Sequence, residues 1–197
     1  MAVDLNLTPD QQSFLDRVDA FARDEVRPAA AAIDESDVFP RELVARAAAL
    51  GLSGVTLPAE WGGAGRDMVT YAHALERIGR ESATLAVILS VNNSLVASVL
   101  QRWGTAAQKE RWLKGLAGGA RIGAFALSEE DAGSDAGNQQ TVAALDDRGH
   151  VLNGRKVWVA NAEAADLFIV FAATQPGAHG RGITAFLRSP KSTHRSP

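Results

Sequence analysis

The 197-residue chain contains no cysteine, which excludes disulfides, thiol nucleophiles and cysteine-ligated zinc. It also lacks any strong charge imbalance: 20 Lys and Arg stand against 23 Asp and Glu, a net charge of −3. No stripe of Lys and Arg interleaved with aromatics occurs, so nucleic acid is not an expected partner. The four histidines, His73, His150, His179 and His194, are not spaced as ligands on one helical turn, and no metal site is expected. A Walker loop ending in Lys-Ser/Thr and a G-x-S-x-G elbow are both missing. "GGAGRD" at 62–67 is glycine-rich but follows no clear strand, so it does not read as a dinucleotide fingerprint. The opening "MAVDLNLTPDQQ" has neither the basic start nor the apolar run of a secretory signal. The apolar segments read as interrupted by polar residues before the length of a membrane span. A soluble, cytoplasmic protein with no membrane partner is the expectation.

What is present is a hydrophobic content of 46%, enough for a sizeable core. The first 120 or so residues have helical periodicity. Thr8, Pro9 and Gln11 form a capping box with proline at the first helical position. Phe14, Val18 and Phe21 then carry an apolar stripe, widened by Leu15, Ala22 and Val26, with a kink expected at Pro28. "FPRELVARAAALG" predicts a second helix stopped by Gly51, and residues 52–67 predict a loop. Asp67 is placed to cap a third helix. "ATLAVILSVNNSLVASVLQRWG" predicts a buried helix broken near Asn92 and Asn93, and Thr105 with Gln108 opens the last.

After Ala120 the pattern becomes period two. "RIGAFAL", "QQTVAAL", "HVLNG", "KVWVA", "DLFIVFAAT" and "GITAFL" are strand-sized runs between Gly, Asp and Asn turns. Helices followed by strands, without βαβ alternation, predict an α+β protein. The expected organisation is an N-terminal all-α bundle over 1–120 and a β-barrel-like antiparallel sheet domain over 121–188. A basic tail without apolar residues, 189–197, is expected to be disordered.

Two stretches invite a functional reading. In "IGAFALSEEDAGSDAGN", residues 122–138, an apolar strand delivers Ser128 and then a Gly133-Ser134 turn. Such a turn aims N–H groups and hydroxyls at an anionic or heteroaromatic ligand. The adjacent carboxylates Glu129, Glu130 and Asp131 could suggest a glycosidase pair, but neighbours in one loop rarely face each other across a substrate. A solvated turn is the favoured reading. In the second stretch Trp158 stands among small residues, where it could stack on a planar ring, though core packing is the reading that composition favours.

Together these stretches resemble the acyl-CoA dehydrogenase family. The family segment aromatic-x-[Met/Leu/Val]-[Thr/Ser]-Glu-Pro-x-Ala-Gly-Ser-Asp is matched by Phe125-Ala126-Leu127-Ser128-Glu129-Glu130-Asp131-Ala132-Gly133-Ser134-Asp135. The segment Asn-Gly-x-Lys-x-Trp-Ile-[Thr/Ser]-Asn is matched by Asn153-Gly154-Arg155-Lys156-Val157-Trp158-Val159-Ala160-Asn161. "ALGLSGVTLPAEWGGAG" and "RWGTAAQKERWLKGLAGG" resemble the family upstream, so the likeness covers nearly all of residues 5–188.

The resemblance implies a flavoprotein that orients FAD. Phe125, Leu127 and Ser128 would meet the flavin ring. Gly133 and Ser134 would lie near the pyrophosphate, with Ser134 also near the CoA of the substrate. Trp158, Val159 and Ala160 would pack along the isoalloxazine. The implied reaction is α,β-dehydrogenation of an acyl-CoA thioester with hydride transfer to FAD. An electron-transfer flavoprotein is implied as acceptor, and homo-oligomers are the family habit.

Three departures stand out. Ala160 replaces the usual Thr or Ser, and Glu130 replaces Pro. Family chains are also about twice as long, and their C-terminal domain supplies the catalytic base, so no catalytic residue is assigned here. Glu129 is a poor substitute, belonging by the family pattern to the loop's conformation. The chain is therefore expected to be a truncated form with little bound flavin. The alternatives are a non-catalytic FAD- or acyl-CoA-binding or assembly module working with a second chain, and a flavin monooxygenase or acyl-CoA oxidase of the same fold.

Overall fold

The computed structural model describes residues 6–147 and 149–190, and the chain divides into two compact units at Ile122 and Gly123. In the first unit, helix α1 (Pro9–Phe21) opens with the expected box, Thr8 and Gln11 satisfying each other's backbone N–H. The helix continues without a sharp break through Ala22–Val26 into α2 (Arg27–Ser36). Proline has no N–H and its ring crowds the carbonyl four residues back. A widened π turn just ahead of Pro28, with Arg27 N–H donating to Ala22 O, accommodates it. Asp37, in the left-handed region at φ 54°, ends α2. Helix α3 (Arg41–Ala49) follows.

Helix α4 (Met68–Glu81) is capped by Asp67, whose side chain accepts from Thr70 N–H. Then come α5 (Ala83–Ser90), a second π segment (Val91–Ala97) and α6 (Ser98–Trp103), which form one continuous run rather than a broken helix. This run, Ala83–Trp103, is long and apolar enough to cross a membrane by length and composition, longer than the sequence reading allowed. Its packing accounts for that character: Leu85, Leu89, Val96 and Ala97 are fully buried in the helical core. Helix α7 (Ala106–Ala117) closes the unit, again behind a capping box, from Thr105 and Gln108.

The loop after α3 is buried, with Leu52, Ser53, Val55 and Leu57 each 1% exposed. Buried backbone must find partners, and the asparagine pair of the central helix provides them. Asn93 accepts from Val55 N–H at 2.8 Å and donates to Leu52 O and Leu89 O at 2.8 Å. Asn92 donates to Ser53 O and Leu116 O, each at 3.1 Å.

The second unit holds strands β1 (Gly123–Ala126), β2 (Val142–Asp146), β3 (Gly149–Asn153), β4 (Leu167–Ala173) and β5 (Ile183–Arg188). The α+β class holds, with one correction: the sheet is mixed, not antiparallel. β4 pairs in parallel with β1 over Leu167–Val170 and with β2 at Ala173. β5 lies antiparallel along its other edge, and β2 and β3 form an antiparallel hairpin. A parallel pair requires a long crossover, and the hairpin plus residues 154–166 supply it between β1 and β4. A second correction concerns "KVWVA": residues 156–160 are not a strand, because Trp158 turns the backbone at φ 56°. Most of the expected tail, residues 191–197, lies outside the described residues.

Alternation sorts β1 onto two faces. Ala124 and Ala126 share one face with Phe168 and Val170, their register partners on β4. Phe125 points to the other, where its ring meets that of Phe171 at 5.0 Å and 59°.

Candidate functional site

Beyond β1 the chain runs through Leu127 and Ser128 into a tight turn, in which Glu129 and Ala132 exchange backbone hydrogen bonds of 3.2 Å. Glu130 and Asp131 occupy the corners and are exposed, as a solvated turn requires. Glu129 is the exception. Its side chain is 7% exposed and turns inward, which corrects the solvated reading for this residue.

The Glu129 carboxylate accepts from Gln140 N–H at 2.6 Å, Thr141 N–H at 3.1 Å and Lys156 Nζ at 2.7 Å. Burial opposes its ionisation. The Lys156 ammonium and the two amides outweigh that effect and hold the carboxyl at about 2, well below its ordinary 4.5. Lys156 spends its other two protons on Leu127 O and Gln139 Oε1, both at 2.8 Å. The pair thus joins the end of β1, the acidic turn, the entry to β2 and the segment that carries Trp158.

That segment, 154–161, is shaped by positive φ angles. Gly154 sits at φ 155°, and a Cβ there would lie 2.4 Å from Thr141 Oγ1. Val157 N–H donates to Ser128 O at 2.9 Å, so this stretch is stitched to the turn and not to a strand ladder. Trp158 follows in the left-handed region and is 94% exposed, which overturns the core-packing reading. Asn161, also left-handed at φ 66°, anchors the far end by donating to Gly123 O at 3.1 Å. A non-glycine residue in this region costs about 1–2 kcal/mol, so an exposed tryptophan held there is a displayed side chain and no packing unit.

The expected ligand-facing residues separate into two groups. Gly133 and Ser134 are exposed, and a Cβ on Gly133 would meet nothing within 4 Å, leaving room for close approach to the backbone. The N–H groups of Ser128, Gly133, Ser134 and Ala160 make no hydrogen bond to any described residue. For Ser128 and Ala160, which are half-buried, that is uncommon. Open donors together with an exposed indole suit an anionic, heteroaromatic cofactor such as FAD. Ala160 lacks a hydroxyl, but its N–H is still available.

Val159 falls elsewhere. It lines a cleft of about 450 Å³ with Leu152, Phe168, Val170 and Arg188. Phe125 belongs to the opposite face of β1, so the structure does not gather all the expected residues around one cavity. Sequence reasoning missed the Lys156–Glu129–Gln139 cluster. Its only signal was a Lys and a Glu in separate motifs, 27 residues apart.

Residues 8–120 match the family described as acyl-CoA dehydrogenase, N-terminal domain, and residues 124–194 match acyl-CoA dehydrogenase, middle domain. A short-chain specific acyl-CoA dehydrogenase of Clostridium acetobutylicum is 42% identical over 185 residues, covering 94% of this chain and 49% of that protein. The solved butyryl-CoA dehydrogenase of Megasphaera elsdenii superposes with a TM-score of 0.89 at 38% identity, over 95% of this chain and 50% of that one. A glutaryl-CoA dehydrogenase from Mycobacterium smegmatis, solved in complex with FADH2, gives a TM-score of 0.86 at 32% identity, over 93% and 46%. The chain spans about half the length of the curated relatives it matches.

Proposed function

The chain belongs to the acyl-CoA dehydrogenase family, and from that premise we propose that residues 123–161 form one wall of an FAD site. The reaction that this wall serves on this reading is α,β-dehydrogenation of an acyl-CoA thioester, for which this chain supplies the cofactor cradle and no assigned base. The observation that carries it is the set of unpaired N–H groups at Ser128, Gly133, Ser134 and Ala160, on two segments joined by the Val157–Ser128 hydrogen bond, with Trp158 exposed next to that bond.

Each residue has a holding role. Leu127 and Ser128 meet the flavin ring and Trp158 and Ala160 pack along it, while Phe125 and Val159, whose side chains lie on opposite faces of the sheet, take part through their backbones. Gly133 and Ser134 receive the pyrophosphate, and Ser134 also approaches the CoA moiety. Bound FAD would supply the hydride acceptor, which no side chain can provide. Within 121–188, taken as the FAD- and acyl-CoA-binding domain, the residues bind and orient. Glu129 is unsuited to proton abstraction, because it is a weak base with its oxygens committed to three donors. No catalytic base is assigned. An electron-transfer flavoprotein as acceptor, homo-oligomerisation and a cytoplasmic location are proposed with the family reading.

The test is titration of FAD with the purified chain, followed by flavin fluorescence, against the variant Trp158→Ala. Saturable quenching that weakens in W158A is expected, without acyl-CoA-dependent dye reduction. Equal behaviour of the two proteins overturns the assignment of Trp158, and sustained dye reduction overturns the absence of a base.

A further inference from the structure

We propose that Lys156 and Glu129 are positioning residues that set the placement of Trp158 against the Ser128 turn. The inference rests on the FAD reading for its functional consequence, but not for its structural content.

The geometry carries it. Lys156 Nζ reaches three acceptors on two segments, Leu127 O and Glu129 Oε1 on either side of Ser128 and Gln139 Oε1 ahead of β2, at 2.7–2.8 Å. Its ammonium is therefore fully used, and its side chain is 9% exposed. Glu129 in turn fixes the backbone of Gln140 and Thr141. Lys156 lies two residues before Trp158, and between them Val157 N–H donates to Ser128 O. Ser128 is itself flanked by Leu127 and Glu129, both partners of the same ammonium. Trp158 has almost no contact of its own to hold it, being 94% exposed at φ 56°. Its position is consequently set by the residues before and after it: Lys156 and Val157 on one side, Asn161 on the other.

Stability alone gives little reason for this pair. A buried ion pair is often no better than an apolar pair of the same volume, because desolvation offsets the attraction. What the charges add is direction: three short bonds at fixed angles specify one arrangement, whereas an apolar pair would tolerate several. Removing one partner leaves an uncompensated buried charge, so single variants confound folding with positioning. The double variant Glu129→Gln with Lys156→Met avoids this. It removes both charges and keeps one oxygen, which can accept from one of the Gln140 and Thr141 amides.

Hydrogen exchange of the ligand-free chain reads the structural part directly. In E129Q/K156M, thermal unfolding should stay cooperative, while protection of the Val157 amide falls by about tenfold or more relative to the β4 amides, the scale of one lost hydrogen bond. Undiminished Val157 protection in a folded double variant would overturn the proposal. The functional part is read by FAD titration, where the dissociation constant should rise by a similar factor of about ten. If wild type itself shows no saturable FAD binding but Val157 protection still depends on the pair, the FAD reading fails and the positioning role stands. Wild-type FAD affinity in a double variant that has lost Val157 protection would overturn the functional consequence alone.

Discussion

Asn93 and Val55 are joined across 38 residues by a 2.8 Å hydrogen bond from the Val55 amide to the Asn93 side-chain oxygen, and both residues are buried. The same asparagine donates back to Leu52 O, so one side chain closes the backbone of a buried loop against the central helix. Replacing Asn93 with Ala leaves a donor and two acceptors to be satisfied elsewhere. Each buried orphan costs roughly 1–3 kcal/mol. Asn93→Ala should therefore destabilise the chain by at least about 3 kcal/mol, read as a lower urea midpoint. Asn93→Asp should be at least as damaging, since it buries a carboxylate oxygen against the Leu52 and Leu89 carbonyls. An unchanged midpoint for both variants would show that the loop is held by its apolar residues alone.

Acid sensitivity should trace to Glu129. Its folded-state carboxyl is depressed from 4.5 to about 2, so its contribution is fully present above about 4.5 and is lost as pH falls toward 2. Urea midpoints measured from neutral pH downward should fall across that window. Glu129→Gln should start lower at neutral pH, because it leaves Lys156 without its anion, and then decline less steeply. Parallel curves for the two proteins would locate acid sensitivity elsewhere.

Gly154 is fixed by steric crowding as well as by conformation. A Cβ there would meet Thr141 Oγ1 at 2.4 Å and Thr141 Cα at 2.6 Å, at φ 155°. Gly154→Ala should destabilise by about 1–3 kcal/mol. The double variant with Thr141→Ala should recover only a part, because the clash with Cα remains. Full recovery in thermal melts would mean that the hydroxyl, which is buried and makes no hydrogen bond, was the sole obstacle.

How legible the fold was depends on the range of the interaction. Both capping boxes, the Asp67 cap and the glycine stops are local devices, and each is found where the spacing placed it. The hairpin of β2 and β3 is equally local. Strand direction was not, since the parallel pairing of β1 with β4 depends on a partner more than 40 residues away. The helix run through Asn92 and Asn93 was misread as a break because two asparagines mid-helix suggest competition with the backbone. Their side chains turned out to serve a distant loop instead. At the candidate site, motif spacing singles out Ser128, Gly133 and Trp158 for the proposed FAD wall. Nothing in period-two patterning could reveal that Trp158 leaves the sheet or that Glu129 is buried against Lys156.

Trp158 offers the clearest separation of stability from function. It contributes little burial at 94% exposure and holds a left-handed backbone, a conformation that costs a β-carbon residue about 1–2 kcal/mol. Glycine adopts the same φ without that cost, although it gives back roughly 0.5–1 kcal/mol through unfolded-state entropy. Trp158→Gly should therefore leave the melting temperature unchanged or slightly raised, while FAD-dependent fluorescence quenching weakens. Trp158→Val is the complementary variant, since a β-branched residue is poorly tolerated at positive φ; it should lower the melting temperature and weaken quenching as well. If Trp158→Gly instead lowered stability markedly, the indole would be packing against something in solution, and its role as a displayed ligand platform would have to be abandoned. Strain kept at an exposed aromatic, and relieved by the substitution that costs binding, is what a site under functional constraint should show.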